Sequence, residues 1–187
     1  MTKRDRRLLE VALAILVMMG MTFLVYEFGA ERIVSFIGVE NSYLVVFLVA
    51  LFGGMTSLGG PTYVATVFTF VSGGATPFFV ALAATGGIII GDTVYFLVSR
   101  RSRHAIPEGR FKKTIQKMEL WIEKRNGFAV FLFAYGYISF TPFPNDILTI
   151  TTGVANVPKK VMLPAILFGS ATHAFILVYL GKTLFGV

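Results

Sequence analysis

Apolar runs, each closed by charge or broken by glycine and proline, fill most of the chain. The first spans residues 8–26 behind Lys3-Arg4-Asp5-Arg6-Arg7 and is interrupted only by Glu10, one turn in, where a side chain still reaches an interface. Its apolar core is too long for a signal peptide, and no small-x-small cleavage site follows in YEFGAER, so it predicts an uncleaved transmembrane helix. Residues 78–98 and 161–180 predict two more full spans. The runs at 43–71 and 128–155 are different, because each is broken in its middle. In the first, Gly53-Gly54 and Gly59-Gly60-Pro61 leave arms of ten residues, about 15 Å of helix, against an apolar bilayer core of about 30 Å. In the second, Pro142 and Pro144 stop the helix, and Asn145-Asp146 resemble the cap of a new short one.

Charge decides how these pieces cross. From Arg100 to Arg125 there are nine Lys or Arg against Glu108, Glu119 and Glu123, a net of +6, which predicts a cytoplasmic loop. The basic N-terminus is likewise expected inside, and the acidic stretch from Glu27 to Glu40 outside. Residues 43–71 then begin and end outside, as a re-entrant hairpin. Residues 128–155 begin and end on the positive side, next to Lys159-Lys160, as a second hairpin inserted from the opposite face. Pro61 and Pro142, like Pro77 and Pro158, are 81 residues apart. The expected fold is all-α and integral to the membrane. It is an inverted repeat of two re-entrant helical hairpins, each followed by a transmembrane helix, covering residues 43–98 and 128–180 of one domain. Such repeats place transport sites where broken helices meet, so the hairpin tips are expected to approach one another near mid-membrane.

The connector, residues 107–126, carries Phe111, Ile115, Met118 and Ile122 at helical spacing, with Trp121 beside them and Lys and Arg opposite. It predicts a basic amphipathic helix, either packed on the bundle or lying in the cytoplasmic interface against anionic lipid headgroups. Composition supports the membrane reading: 55% of 187 residues are hydrophobic, and mean hydropathy is +0.74. The formal charge of +7 clusters at membrane edges rather than forming a nucleic-acid footprint. With no cysteine there is no thiolate metal site and no disulfide. No metalloprotease motif, phosphate loop or nucleophile–base set is present, so neither an enzyme nor a cofactor is expected.

Gly91-Asp92 with Tyr95-Phe96 and Arg100, together with Pro144-Asn145-Asp146-Ile147-Leu148 and Gly153, is similar to the signatures of the DedA/VTT-domain (SNARE-associated) membrane proteins. The likeness runs from about Tyr43 to Lys182. Ser99 replaces the second glycine of the Gly-Asp…Tyr…Gly-Arg signature. Many members carry an acid in the first hairpin and an arginine in the second; here the first has no acid and the second has Asp146 but no arginine. The resemblance implies lipid handling: flipping of polyprenyl phosphate or phospholipid in bacteria, scrambling of phospholipid in eukaryotes. Proton coupling is proposed for some members, and Asp146 is the residue that would carry it here. The expected location is a prokaryotic cell membrane, N-terminus cytoplasmic. The oligomeric state is not legible, and a homodimer is compatible with the sequence.

The candidate translocation path comprises Gly60, Pro61 and Thr62 at one hairpin, Pro142, Pro144, Asn145 and Asp146 at the other, and Asp92, His173 and Arg100 on the long spans. Ionisable groups at membrane depth are functional candidates, but each has a plainer alternative. Asp146 can be a helix cap. Asp92 can pair with an interfacial cation or accept from a hairpin backbone. His173, 81 residues after Asp92, can relay a proton or simply pack. Thr62, Thr66, Thr69, Thr149 and Thr152 can line a path or bond their own helix. The function classes left open are a lipid flippase or scramblase, a secondary transporter of a small polar or anionic solute, and a non-transporting structural membrane protein.

Overall fold

The computed structural model describes residues 36, 38–53, 59–101, 117, 119–122, 124–141 and 143–185. The expected N-terminal helix at 8–26, most of the connector, Pro142 and the last two residues lie outside that set. The described residues include the helices α1 (Val39–Gly53), α2 (Gly59–Ser72), α3 (Pro77–Arg101), α4 (Gly127–Phe140), α5 (Asn145–Val154) and α6 (Lys159–Phe185). No strand occurs among the described residues. Among the described residues, only α3 and α6 have both the length and the apolarity to cross a bilayer, with mean hydropathies of 1.7 and 1.9. The other four have 15, 14, 14 and 10 residues, and at about 1.5 Å per residue none covers an apolar core of about 30 Å.

Local chemistry sets the ends. Asn126 caps α4 by accepting from the Ala129 amide at 2.8 Å. Thr141, the residue before Pro142, is extended with ψ 144, as a residue preceding proline must be, and the helix stops there. Pro61, expected to break the first hairpin, instead sits within the first turn of α2, where its missing amide would have had no helical partner anyway. The α2–α3 and α5–α6 turns share one design. Gly74 (φ 91) and Asn156 (φ 57) hold the left-handed conformation that closes a helix. Beyond them, Ala75 N–H reaches Phe70 O and Val157 N–H reaches Thr152 O, both at 3.0 Å.

Packing crosses between the two halves of the chain. Within each half the first arm lies on the long helix, α1 on α3 and α4 on α6, and α3 meets α6. The second arms exchange: α5 packs on α3 and α2 packs on α6. Glycines make these approaches possible. A Cβ at Gly87 would come 2.4 Å from the Phe47 carbonyl oxygen, and one at Gly169 would meet the Ile138 side chain at 2.8 Å. At the exchanged seams, a Cβ at Gly153 would lie 2.5 Å from Phe96 O, and one at Gly181 would lie 2.8 Å from the Phe68 ring. Gly74 and Asn156, Gly87 and Gly169, and Ser99 and Gly181 are each 82 residues apart, one more than the proline pairs. By that register the counterpart of Asp92 is Ala174, and His173 falls one position before it.

The solvent implied by the surface is not water. Leu44, Phe52, Phe78, Phe79, Leu82, Ile90, Leu132, Phe133, Leu167 and Phe168 are all exposed, while Asp92, Thr149 and Ser170 are wholly buried. Exposed apolar area on this scale, around a core that holds polar groups, fits a chain surrounded by lipid.

Candidate functional site

The α3–α5 seam brings together what the sequence separates by more than fifty residues. Asp92, midway along α3, is 0% exposed, and neither carboxylate oxygen has a hydrogen-bond partner. The Asn145 amide faces it from the first turn of α5 without closing a well-directed bond, and Asp146 is near enough for like charges to repel. Tyr95, one turn further along α3, lies within the field of both carboxylates, and Tyr137 on α4 within that of Asp146. The Tyr137 hydroxyl donates to Pro144 O at 3.4 Å, tying α4 to the entry of α5. Leaving a buried polar group unmatched costs about 1–3 kcal/mol, and more for a charge. A polar guest in the seam would offset that cost.

The start of α5 corrects one expectation. The cap position belongs to Pro144, whose side chain makes no capping bond, so Asn145 and Asp146 are the first two helical residues. Asp146 Oδ1 still accepts an amide of that turn, Ile147 N–H at 2.8 Å, and the residue is buried. The seam's outer edge is mixed. Asn145, Tyr95 and Tyr137 are half-buried, whereas Phe143, Ile147, Val94 and Val98 beside them are exposed. Polar groups therefore border an apolar surface directly.

A second polar group gathers at the α2–α6 seam. His173 is half-buried, stacks on the Tyr63 ring at 6.2 Å and 28°, and lies against the Ser139 backbone. The buried hydroxyls of Tyr63, Ser139 and Ser170 have no partner. Asn145 and Tyr63 are themselves 82 residues apart, so each long helix meets the matching turn of the other half's short helix with a different pair of polar groups.

The remaining candidates take other places. Thr62 serves as an acceptor through its carbonyl, for Thr66 Oγ1 at 2.7 Å, and Thr69, Thr149, Thr151 and Thr152 likewise bond carbonyls of their own helices. Gly60 has open space where a side chain would stand, and Pro61 is exposed. Arg100 donates to Val157 O, pinning the end of α3 to the α5–α6 turn. Trp121 of the connector packs edge-on against Phe133 of α4 at 5.4 Å and carries Arg125 over its ring at 5.6 Å. Beside it lies a cavity of about 460 Å³ bounded by Glu119, Ile122, Arg125, Asn156 and Pro158, away from Asp92.

Sequence reading singled out Asp92, Asn145 and Asp146, which the fold brings together, but it gave no site role to Tyr95, Tyr137, Tyr63, Ser139 or Ser170. A tyrosine within an otherwise apolar arm was the available signal for Tyr137 and Tyr63. Comparison with known proteins gives a match to the family model described as the VTT domain over residues 39–183. No curated protein and no solved structure matches.

Proposed function

The chain belongs to the VTT-domain family of membrane proteins, and from that premise we propose that it moves phospholipid across the bilayer, the headgroup passing along the α3–α5 seam while the acyl chains stay in lipid. One observation carries this reading. A fully buried carboxylate without a partner, Asp92, stands behind half-buried Asn145 and Tyr95, and exposed Phe143 and Ile147 flank that edge. A headgroup entering from the side would solvate Asp92 and leave its tails against the apolar rim. A carrier for a free solute would instead want a closed chamber at that depth.

We read the two halves as an inverted repeat of re-entrant hairpins. The support is the pair of like turns at Gly74 and Asn156, the constant offset of the close-approach positions, and the exchange of α2 and α5 between halves. Two opposed polar seams, one per half, suit a step that must open toward each leaflet in turn.

The test is reconstitution into liposomes carrying trace fluorescent phospholipid, with the label accessible to a membrane-impermeant quencher. Protein-containing vesicles should lose well over half of their fluorescence, against about half for empty ones. Asp92→Asn should slow that exchange markedly. Equal loss with and without folded protein would refute lipid movement.

A further inference from the structure

We propose that the α3–α5 seam selects lipids whose headgroup carries a primary amine, and disfavours headgroups with net negative charge; this rests on the lipid-moving reading above. The seam holds two carboxylates, Asp92 and Asp146, close enough to act on one another. Among the described residues, Asp92 has neither a hydrogen bond nor an ion pair, although it is wholly buried. A carboxylate in that condition lacks a donor, ideally a charged one. None of the described residues supplies it. The second hairpin contains no Lys or Arg, and Arg100, the nearest basic residue along α3, is committed to Val157 O.

An ammonium group fits what is missing. Its three N–H donors suit two neighbouring carboxylates, and Tyr95 and Tyr137 lie within the field of the same charges. The phosphodiester that accompanies the amine would meet the Asn145 amide, a neutral donor at the edge of the seam. A headgroup with phosphate and no amine, such as glycerol phosphate or a polyprenyl phosphate, would bring net negative charge against two acids and find no free cation among the described residues of the seam. Choline carries the positive charge but has no N–H to donate, so it should rank between the two classes. The absent hairpin arginine and the unpartnered Asp92 are thus two sides of one chemistry: the cation comes with the substrate.

The experiment uses the full chain in phosphatidylcholine vesicles with lipids labelled on the acyl chain, leaving the headgroups intact. Phosphatidylethanolamine should exchange about ten-fold faster than phosphatidylglycerol or phosphatidic acid, the scale of one charge-assisted contact. Asp92→Asn should remove most of that preference; if it fails to elute as folded protein, Asp146→Asn supplies the same comparison. Equal or faster movement of phosphatidylglycerol or of a polyprenyl phosphate in the wild type overturns the amine preference and leaves lipid movement standing. Exchange of no lipid overturns both. Uptake of radiolabelled free ethanolamine without lipid exchange overturns both as well, because the site would then serve a soluble amine.

Discussion

Gly153 and Asn156 stand three residues apart and show how different constraints act on single positions. At Gly153 the constraint is space, since any Cβ would run into the Ser99 hydroxyl and the Phe96 carbonyl. Gly153→Ala should therefore cost about 1–3 kcal/mol, seen as a lower unfolding temperature in detergent, whereas Gly136→Ala, with nothing within 4 Å, should cost nothing. At Asn156 the constraint is the backbone: φ 57 is tolerated by asparagine and free for glycine. Asn156→Gly should be close to neutral in the same assay, and Asn156→Val should lose at least about 1 kcal/mol. Ser99 looked in the sequence like a departure from a glycine signature. Its counterpart Gly181 keeps the glycine, and both positions receive a short helix from the other half. The charged residues were legible because charge is rare in such a chain. Tyr63, Ser139 and Ser170 were not, because a hydroxyl is unremarkable until its surroundings show that nothing bonds it.

Helices were more legible than their partners. Glycine and proline marked where the short arms start and stop, and α4 ends where the residue before Pro142 must leave the helical region. Both arms of the first hairpin run longer than the ten residues expected: α1 starts at Val39 and takes in Gly53, and α2 takes in Gly59, Gly60 and Pro61, which were expected to interrupt a helix. What no local pattern contains is the exchange of α2 and α5, since apolar faces of similar composition do not name their partners. The exchange predicts specific cross-links in a chain with no native cysteine. Tyr95→Cys with Asn145→Cys, residues that stand beside Asp92 on α3 and α5, should be joined by a short thiol-specific cross-linker, read as a shift in electrophoresis after cleavage between the halves. A pairing of α5 with α2 in place of α3 would leave those fragments separate.

For the whole molecule, the exchange means that neither half buries all of its own surfaces. Residues 1–106 and 107–187 expressed separately should aggregate or be degraded, and co-expressed they should purify together as one folded species. Topology is the second prediction at this scale. Reporter fusions should place the loop after Arg101 in the cytoplasm, following the net +6 there, and a fusion at Val187 on the opposite side. A cytoplasmic signal at Val187 would rule out the opposed insertion of the two halves. Arg100 bears on how such a molecule would move. Its grip on Val157, with Gly153 seated against α3 just before it, makes the C-terminal end of α5 a fulcrum. Asn145 stands about 12 Å from that point at helical rise, so a tilt of about 15° carries the tip roughly 3 Å. That distance is about the width of an ammonium group, so a tilt of this size about the anchored end of α5 would be enough to open the Asp92 seam.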